Sequence, residues 1–469
     1  MSTRCLSLKH RLPVFLYLSG LLSLLFLSAC TLGPDYERPE AETPGRFLNS
    51  AETGSRMVVQ WRELFQSPEL NHLLQRAEAN NRNLKAAYQS VLASQAVLER
   101  FRSDGRPQVD AGLGADFFNN SDALAPTGRG DSGERYDADL RVGWELDLFG
   151  RIRRSIQAAA ADAEAQEALY TDFLITLQAD VARHYFEINS LQAEIELLER
   201  SRQTRQESLD LIQQRFRTGT VSELDVAQTT TLLANAESRL FAVMRIQNSL
   251  IYSLAALLGE TPSSFSFQPS SLTEDPPSVP DGLPGDLLER RPDIRRSERQ
   301  LAADSERIGV AKASFFPSIT LQGTVGFAAR DWDDLFSSDA AFDSINPGVS
   351  IPIFEGGRLR ANEAVALANY NESLELYQQQ VINAVTEVED FLQSIQLLDS
   401  QRQAIGRSVT ASNQAREISM LQYQRGISDF ITALDAERTA LNAEQQFVQV
   451  KRAQYITTIN LIRALGGSW

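Results

Sequence analysis

The chain is predicted to be mainly α-helical, with a few membrane strands that close a β-barrel only together with other copies of the chain. Three observations predict this. Two stretches of about 68 residues are almost free of Gly and Pro, landmarks recur 207 residues apart, and four segments alternate apolar and polar residues with a period of two.

The bulk composition is that of an ordered protein, with 469 residues of which 43% are hydrophobic and 23% charged. The formal net charge is −16. Residues 1–29 hold Arg4, Lys9 and Arg11 and no acid, so the remaining 42 basic and 61 acidic residues leave −19. Phosphate contacts need clustered Lys and Arg, so this balance argues against nucleic acid as a partner.

The N-terminus reads as a targeting segment. A basic start leads into "VFLYLSGLLSLLFL" and then "LSAC". An uncleaved membrane anchor is one reading. The other is a signal peptide over 1–29, because "LSAC" resembles the bacterial lipoprotein signal. Cys30 then becomes the first residue and carries covalent lipid. Thr31, rather than Asp, follows it, which implies delivery to the outer membrane. With Cys5 removed and Cys30 acylated, the mature chain has no pair for a disulfide and no thiol for a metal or for catalysis. Residues 30–67 form an N-terminal anchor segment.

The rest of the chain reads as a tandem duplication. "FGRIRRSIQAAA" (149–160) resembles "GGRLRANEAVAL" (356–367), and "RFRTGTVSELDVAQT" (215–229) resembles "QYQRGISDFITALDA" (422–436). Gly150, Gly219 and Gly259 recur as Gly357, Gly426 and Gly466 at one offset of 207. This gives repeat 1 over 68–262, a Pro/Ser-rich linker over 263–284 and repeat 2 over 285–469. Each repeat is expected to hold a helix, a β-hairpin, a long helix and a return helix. The rods 151–218 and 358–425 end at glycines suited to helix C-caps, and 220–258 and 427–465 follow as the return helices. An unbroken rod of that length measures on the order of 100 Å.

Along the first rod, Leu174, Leu177, Val181, His184, Ile188, Leu191, Ile195 and Leu198 alternate at spacings of three and four, and Leu209, Ile212 and Phe216 resume the seam. That spacing predicts left-handed coiled-coil packing.

The hairpins are expected at about 107–149 and 317–354. Tyr136, Ala138, Leu140, Val142, Trp144, Leu146 and Leu148 alternate with Asp137, Asp139, Arg141, Gly143, Glu145 and Asp147. Val109 to Phe117, Ile319 to Phe327 and Ile345 to Ile353 alternate in the same way. A half-buried soluble sheet explains one such hairpin alone. Four strands of bilayer-crossing length fit a membrane wall better, and edge strands cannot face lipid with unpaired backbone groups. Four are too few for a barrel, since these start at eight, so three chains with twelve strands is the expected closure. Asp137, Asp139, Glu145 and Asp147 would then face a wet lumen.

With these features in place the chain resembles the TolC-like outer-membrane efflux factors, in the lipoprotein (NodT) branch serving resistance-nodulation-division (RND) pumps. The resemblance is carried by "CTLGPDYERP" (30–39), "WELDLFGR", "RRPDIRRSE" (290–298), "FFPSITL" (315–321), "IPIFEGGRLR" (351–360), "RFRTGTVSELDV" and "ALGGSW", and runs from Cys30 to Trp469. It implies a homotrimer with a twelve-stranded barrel in the outer membrane of a Gram-negative bacterium and a helical barrel in the periplasm. It implies a passive exit duct coupled to a periplasmic adaptor and an inner-membrane RND transporter.

The resemblance places the functional positions at the two helix-hairpin tips. Arg217, Gly219, Arg425 and Gly426 match the turns that meet the adaptor. Ile431 matches an apolar ring that narrows the pore and Asp435 an acidic ring, while Asp225 and Tyr423 match positions that tether the tips. Ser428 and Thr432 depart from the charged residues that some members carry. Helix N-terminal charge accounts for Asp225 and Asp435 in simpler terms. No metal spacing, phosphate loop or catalytic constellation is apparent, so neither a cofactor nor an enzyme activity is expected. A coiled-coil lipoprotein without a pore is the alternative.

Overall fold

The computed structural model describes residues 31–40, 44–48, 61–119, 121, 132–272, 275–279 and 284–467. The expected signal segment over 1–29 and Cys30 lie outside the described residues, as does most of the first hairpin loop. The first half holds α1 (Trp61–Leu64), α2 (Pro68–Asn80), α3 (Arg82–Asp104), β1 (Gln108–Asn119), β2 (Ser132–Leu146), α4 (Arg151–Arg217) and α5 (Glu223–Leu257). The second holds α6 (Leu287–Arg290), α7 (Pro292–Ala313), β3 (Ser318–Ala329), β4 (Ala341–Ser350), α8 (Arg358–Gln424) and α9 (Phe430–Ala464). The rods α4 and α8 are each 67 residues long, and the return helices α5 and α9 are each 35. Neither rod is broken, because no proline removes an i→i−4 bond within either.

Two compact units divide the chain. One takes the N-terminal segment through Pro39 with Val91–Gln166 and Ser297–Tyr377, and the other takes Glu40–Ser90, Glu167–Arg296 and Gln378–Trp469. Each unit therefore draws on both halves of the sequence.

The first unit carries one antiparallel sheet of order β1-β2-β3-β4. The middle pairing, Leu140↔Val325 and Trp144↔Leu321, joins a strand from each half. Below the sheet, Arg154 is 2% exposed. Its guanidinium donates to Leu32 O at 3.2 Å, Glu306 at 2.8 Å and Asp35 at 3.0 Å. Gly33 lies flat on Gly309, where a Cβ would come within 2.5 Å of the Gly309 Cα. The segment after Cys30 is thus clasped to the starts and ends of the helices that carry the strands.

The second unit has an apolar core. Leu70, Leu74, Val181, Ile188, Leu254, Leu258 and Ile459 are all buried, and Phe186 stacks on Tyr455 at 4.4 Å. Most of the expected seam is inside, including Leu177, Leu191, Ile195, Leu198, Leu209 and Ile212. Phe216 is a correction. It is 45% exposed, on the last turn of a helix that ends one residue later, while the neighbouring Arg215 is the residue of that turn that meets Tyr423.

The far ends of the return helices are fixed in the same way in both halves. Asn81 donates Nδ2 to Leu257 O at 2.8 Å, and Arg291, 210 residues after Asn81, donates Nη1 at 2.9 Å to Ala464 O, which lies 207 residues after Leu257. Arg291 also binds Asp293 at 2.6 Å and Glu387 at 2.8 Å. This gives "RRPDIRRSE" a structural role: its arginine ties the end of α9 to α7 and α8. Burial opposes ionisation of Asp293, but bonds from Arg291, Ile294 N and Gln380 outweigh it and hold the carboxyl below its usual range.

Candidate functional site

Two places carry the features expected of function. The first is the sheet. Val109, Leu113, Phe117, Val325, Ile345 and Val349 lie on one face and are all more than half exposed. Phe117, Tyr136 and Trp332 cluster at the loop end of that face, with ring centroids 6.1 and 5.5 Å apart. At the other end Trp144 donates Nε1 to Gly105 O at 3.2 Å. An apolar band edged by aromatic rings is what a strand meets on crossing a bilayer.

On the opposite face Asp137 lies beside Gly114, and Asp139 fills the space left by its cross-strand neighbours Gly112 and Gly326. Asp139 is only 8% exposed and accepts from Arg141 at 2.8 Å. Glu145 stays in the strand but takes a two-pronged bond from Arg151 at 2.8 Å, which ties β2 to α4. Asp147 lies beyond the strand. Its carboxylate accepts from Ile152 N at 3.1 Å and Arg153 N at 2.8 Å, so it caps α4 rather than lining the strand face. The alternation running on through Asp147 hid that change of element. The same holds at the end of β4, where Ile351 and Ile353 follow the last strand residue, Ser350.

The second place is the pair of helix-hairpin tips. Each long helix ends in a left-handed glycine, Gly219 at φ +74° and Gly426 at φ +71°. Thr220 N donates to Arg215 O at 3.0 Å and Ile427 N to Gln422 O at 2.9 Å, the six-to-one bond that closes such turns. At the first tip Ser222 and Asp225 form a reciprocal capping box, with Ser222 N and Oγ each 2.8 Å from Asp225 Oδ2. At the second tip Asp429 caps α9, accepting from Thr432 N at 2.7 Å, and this bond holds its carboxyl low. Arg217 and Arg425 are exposed at the turns.

The tips pack on each other through Ile212, Tyr423, Phe430 and Ala433. Tyr423 accepts from Arg215 Nη1 at 2.8 Å, and the same guanidinium lies 5.1 Å from its ring centroid. Tyr423 therefore links the two hairpins, but through Arg215, while Asp225 is engaged in its own cap. Ile427 and Ile431 are exposed, at 71% and 62%. Asp435 is exposed as well and pairs with Arg438 one turn on, at 2.5 Å. Motif matching did not point to Arg215, Arg205 or Glu437, because a partner that lies on another helix leaves no local spacing to read. Among the described residues no group of His, Cys, Asp and Glu could hold a metal ion.

An exposed apolar strand face with acids on its other side, carried on very long paired helices, defines a channel-type membrane protein. The chain belongs to the outer membrane efflux protein family: the family model described as "Outer membrane efflux protein" matches residues 73–260 and 283–467. The chain is 33% identical over 462 residues to the solvent efflux pump outer membrane protein SrpC of Pseudomonas putida, covering 95% of this chain and 97% of that one. It is 30% identical to the outer membrane protein OprJ of Pseudomonas aeruginosa, covering 98% and 97%. Among solved structures, the outer-membrane channel OprN superposes with a TM-score of 0.88 at 32% identity, covering 94% of this chain and all of that one. The open state of the Neisseria gonorrhoeae MtrE channel gives 0.82 at 27%, covering 94% and 98%.

Proposed function

We propose that the protein is the outer-membrane exit duct of a tripartite RND-type efflux system, a passive homotrimeric channel opened at its hairpin tips. One observation carries the reading. The four strands form a single open sheet whose edges, β1 and β4, each have one partner strand among the described residues, while one face is apolar and exposed. Open edges are not tolerated in lipid, so copies of the chain must supply the missing partners, and three copies supply twelve strands. The helix α5 supports this. It is apolar enough to cross a membrane by composition, yet it leaves Leu224, Phe241, Ile246 and Tyr252 exposed, as a wall covered by neighbouring subunits would.

In this reading the periplasmic adaptor meets the turns at Arg217, Gly219, Arg425 and Gly426, and the RND transporter supplies the driving force. Ile431 and Asp435 narrow and charge the mouth, and Asp137, Asp139 and Glu145 face the lumen. Lipid on Cys30 holds the N-terminal segment in the outer membrane. The recurrence of the helix lengths, and of a side chain bonded to the last carbonyl of each return helix, supports two repeats, 68–262 and 285–469, derived from one ancestor.

Light scattering of the mature protein in mild detergent is expected to give three chains, and planar bilayers are expected to show a conducting pore. A stable monomer would overturn the duct and favour the pore-less lipoprotein. Asp435→Ala is expected to weaken block by trivalent cations, since three carboxylates around a narrow axis focus the field. Unchanged block would reduce Asp435 to an exposed helix charge. Cys30→Ala is expected to abolish palmitate labelling, and continued labelling would remove the anchor.

A further inference from the structure

About three to four helical turns from the tip glycines the two hairpins meet through a buried charge pair. Arg205 on α4 donates Nη1 to Leu232 O of α5 at 2.9 Å, inside the first hairpin. Its Nε lies 3.5 Å from Glu437 Oε1 on α9, in the second hairpin. Both residues are buried, with 9% of Arg205 and 5% of Glu437 exposed. The contact is charge attraction without hydrogen-bond geometry, for Arg205 Nε and Glu437 Oε2 both lack a hydrogen-bond partner among the described residues. Ser201 Oγ on α4 and Asn413 Oδ1 on α8 are buried and unpartnered beside them. A cavity of about 890 Å³ opens among these groups, lined by Ser201, Asn413, Arg416 and Glu437, with Arg200, Glu417 and Glu444 also on its walls.

This layer differs from the tip beneath it. The tip is held by apolar packing of Ile212, Tyr423, Phe430 and Ala433. The charged layer is held by a pair whose desolvation is poorly offset, since the ions meet through one long contact and, besides it, Arg205 keeps a bond to Leu232 O while Glu437 Oε2 has none. Burial pushes the Glu437 carboxyl toward its neutral form, even though Arg205 and Arg416 pull the other way. Two alternatives to such a pair have opposite consequences. Replacing both partners by apolar residues of similar volume tightens the packing, whereas removing one strands a buried charge and loosens it.

We propose that Arg205 and Glu437 are positioning residues of the gate: they keep the hairpins in register but leave their docking weak, so that the second hairpin, with Ile431 and Asp435, separates from the first along this layer. The proposal rests on the duct reading above.

Single-channel recording of the full mature chain in planar bilayers tests it. Arg205→Ala strands Glu437 and is expected to raise the open-to-closed ratio about tenfold, and the double replacement Arg205→Met/Glu437→Leu is expected to lower it about tenfold. Arg205→Lys, which keeps the charge, is expected to fall near the unaltered protein. If Arg205→Ala does not assemble, Glu437→Gln strands the guanidinium instead and is read in its place. Single and double variants that assemble as trimers and gate like the unaltered protein overturn the proposal. A shift of both in the same direction also overturns it, because that is what general loss of packing would give. An unaltered protein that does not conduct overturns the duct reading itself, and this inference falls with it. A duct that conducts while the variants leave gating unchanged overturns the inference alone.

Discussion

The four long helices end in four turns built on one motif, and the turns differ in what surrounds them. Gly219, Gly259, Gly426 and Gly466 all have positive φ, and in each case the next residue's N–H closes a six-to-one bond. At the far ends of the return helices the glycines are wedged. A Cβ on Gly259 would come within 2.5 Å of Asn80 O, and one on Gly466 within 3.0 Å of Arg290 O. At the hairpin tips nothing among the described residues lies within 4 Å of a Cβ on Gly219 or Gly426. The same local chemistry therefore serves packing at one end and an uncovered surface at the other. A wedged turn holds the fold, and an open one leaves room for a partner or for movement.

Replacing the glycines separates the two roles. Gly259→Ala combines left-handed strain with a clash against backbone and is expected to cost about 3 kcal/mol or more. Denaturant midpoints of the purified protein check this, and a cost near that of the tips would mean that the wedge relaxes freely. Gly219→Ala and Gly426→Ala carry the conformational strain alone, about 1–2 kcal/mol. Either tip costing as much as Gly259 would show that the turn is covered.

A smaller effect is expected between the tips. Tyr423→Phe removes the bond to Arg215 and keeps the ring between Ile212 and Phe430, so about 1 kcal/mol of docking is lost. More frequent channel opening in bilayers would register that loss, and unchanged gating would assign the cohesion of the tips to the apolar cluster.

The smallest effect is one of sign. Asp293, at the wedged end, has a lowered folded pKa, so its contribution is present above the ordinary aspartate value and is lost as pH falls through the folded value. Glu437, in the layer above the tips, has a raised folded pKa, so its contribution is present below the ordinary glutamate value and is lost as pH rises through the folded value. Mild acid is therefore expected to tighten the tips before stronger acid loosens the far ends. Hydrogen exchange of α9 against pH resolves the two, and loss of protection at both ends in one step would contradict the contrast.

The architecture was legible because its signals are local. Absence of Pro and near-absence of Gly set the rods, and the helices α4 and α8 end one residue short of the lengths that the glycines marked. Strict alternation set the strands, because side chains on a strand point to opposite faces in turn. The errors fell where two elements meet. Asp147 and Ile353 continued an alternation past the end of the backbone ladder, and Phe216 continued a seam past the point where a neighbour covers it. Of the candidate site, the tip turns were legible from their glycines, while the partners of the tip residues were not.

By itself, then, the sequence determined the long helices, the four strands and the positions of the turns, since each depends on the conformational preferences of neighbouring residues. Only the tertiary structure decided that Arg291 ties α9 to α7, that Arg154 clasps the segment after Cys30, that Tyr423 reaches Arg215, and that Arg205 and Glu437 share one buried layer. Those residues lie far apart along the chain, and a charge declares its partner only when folding has removed the water between them.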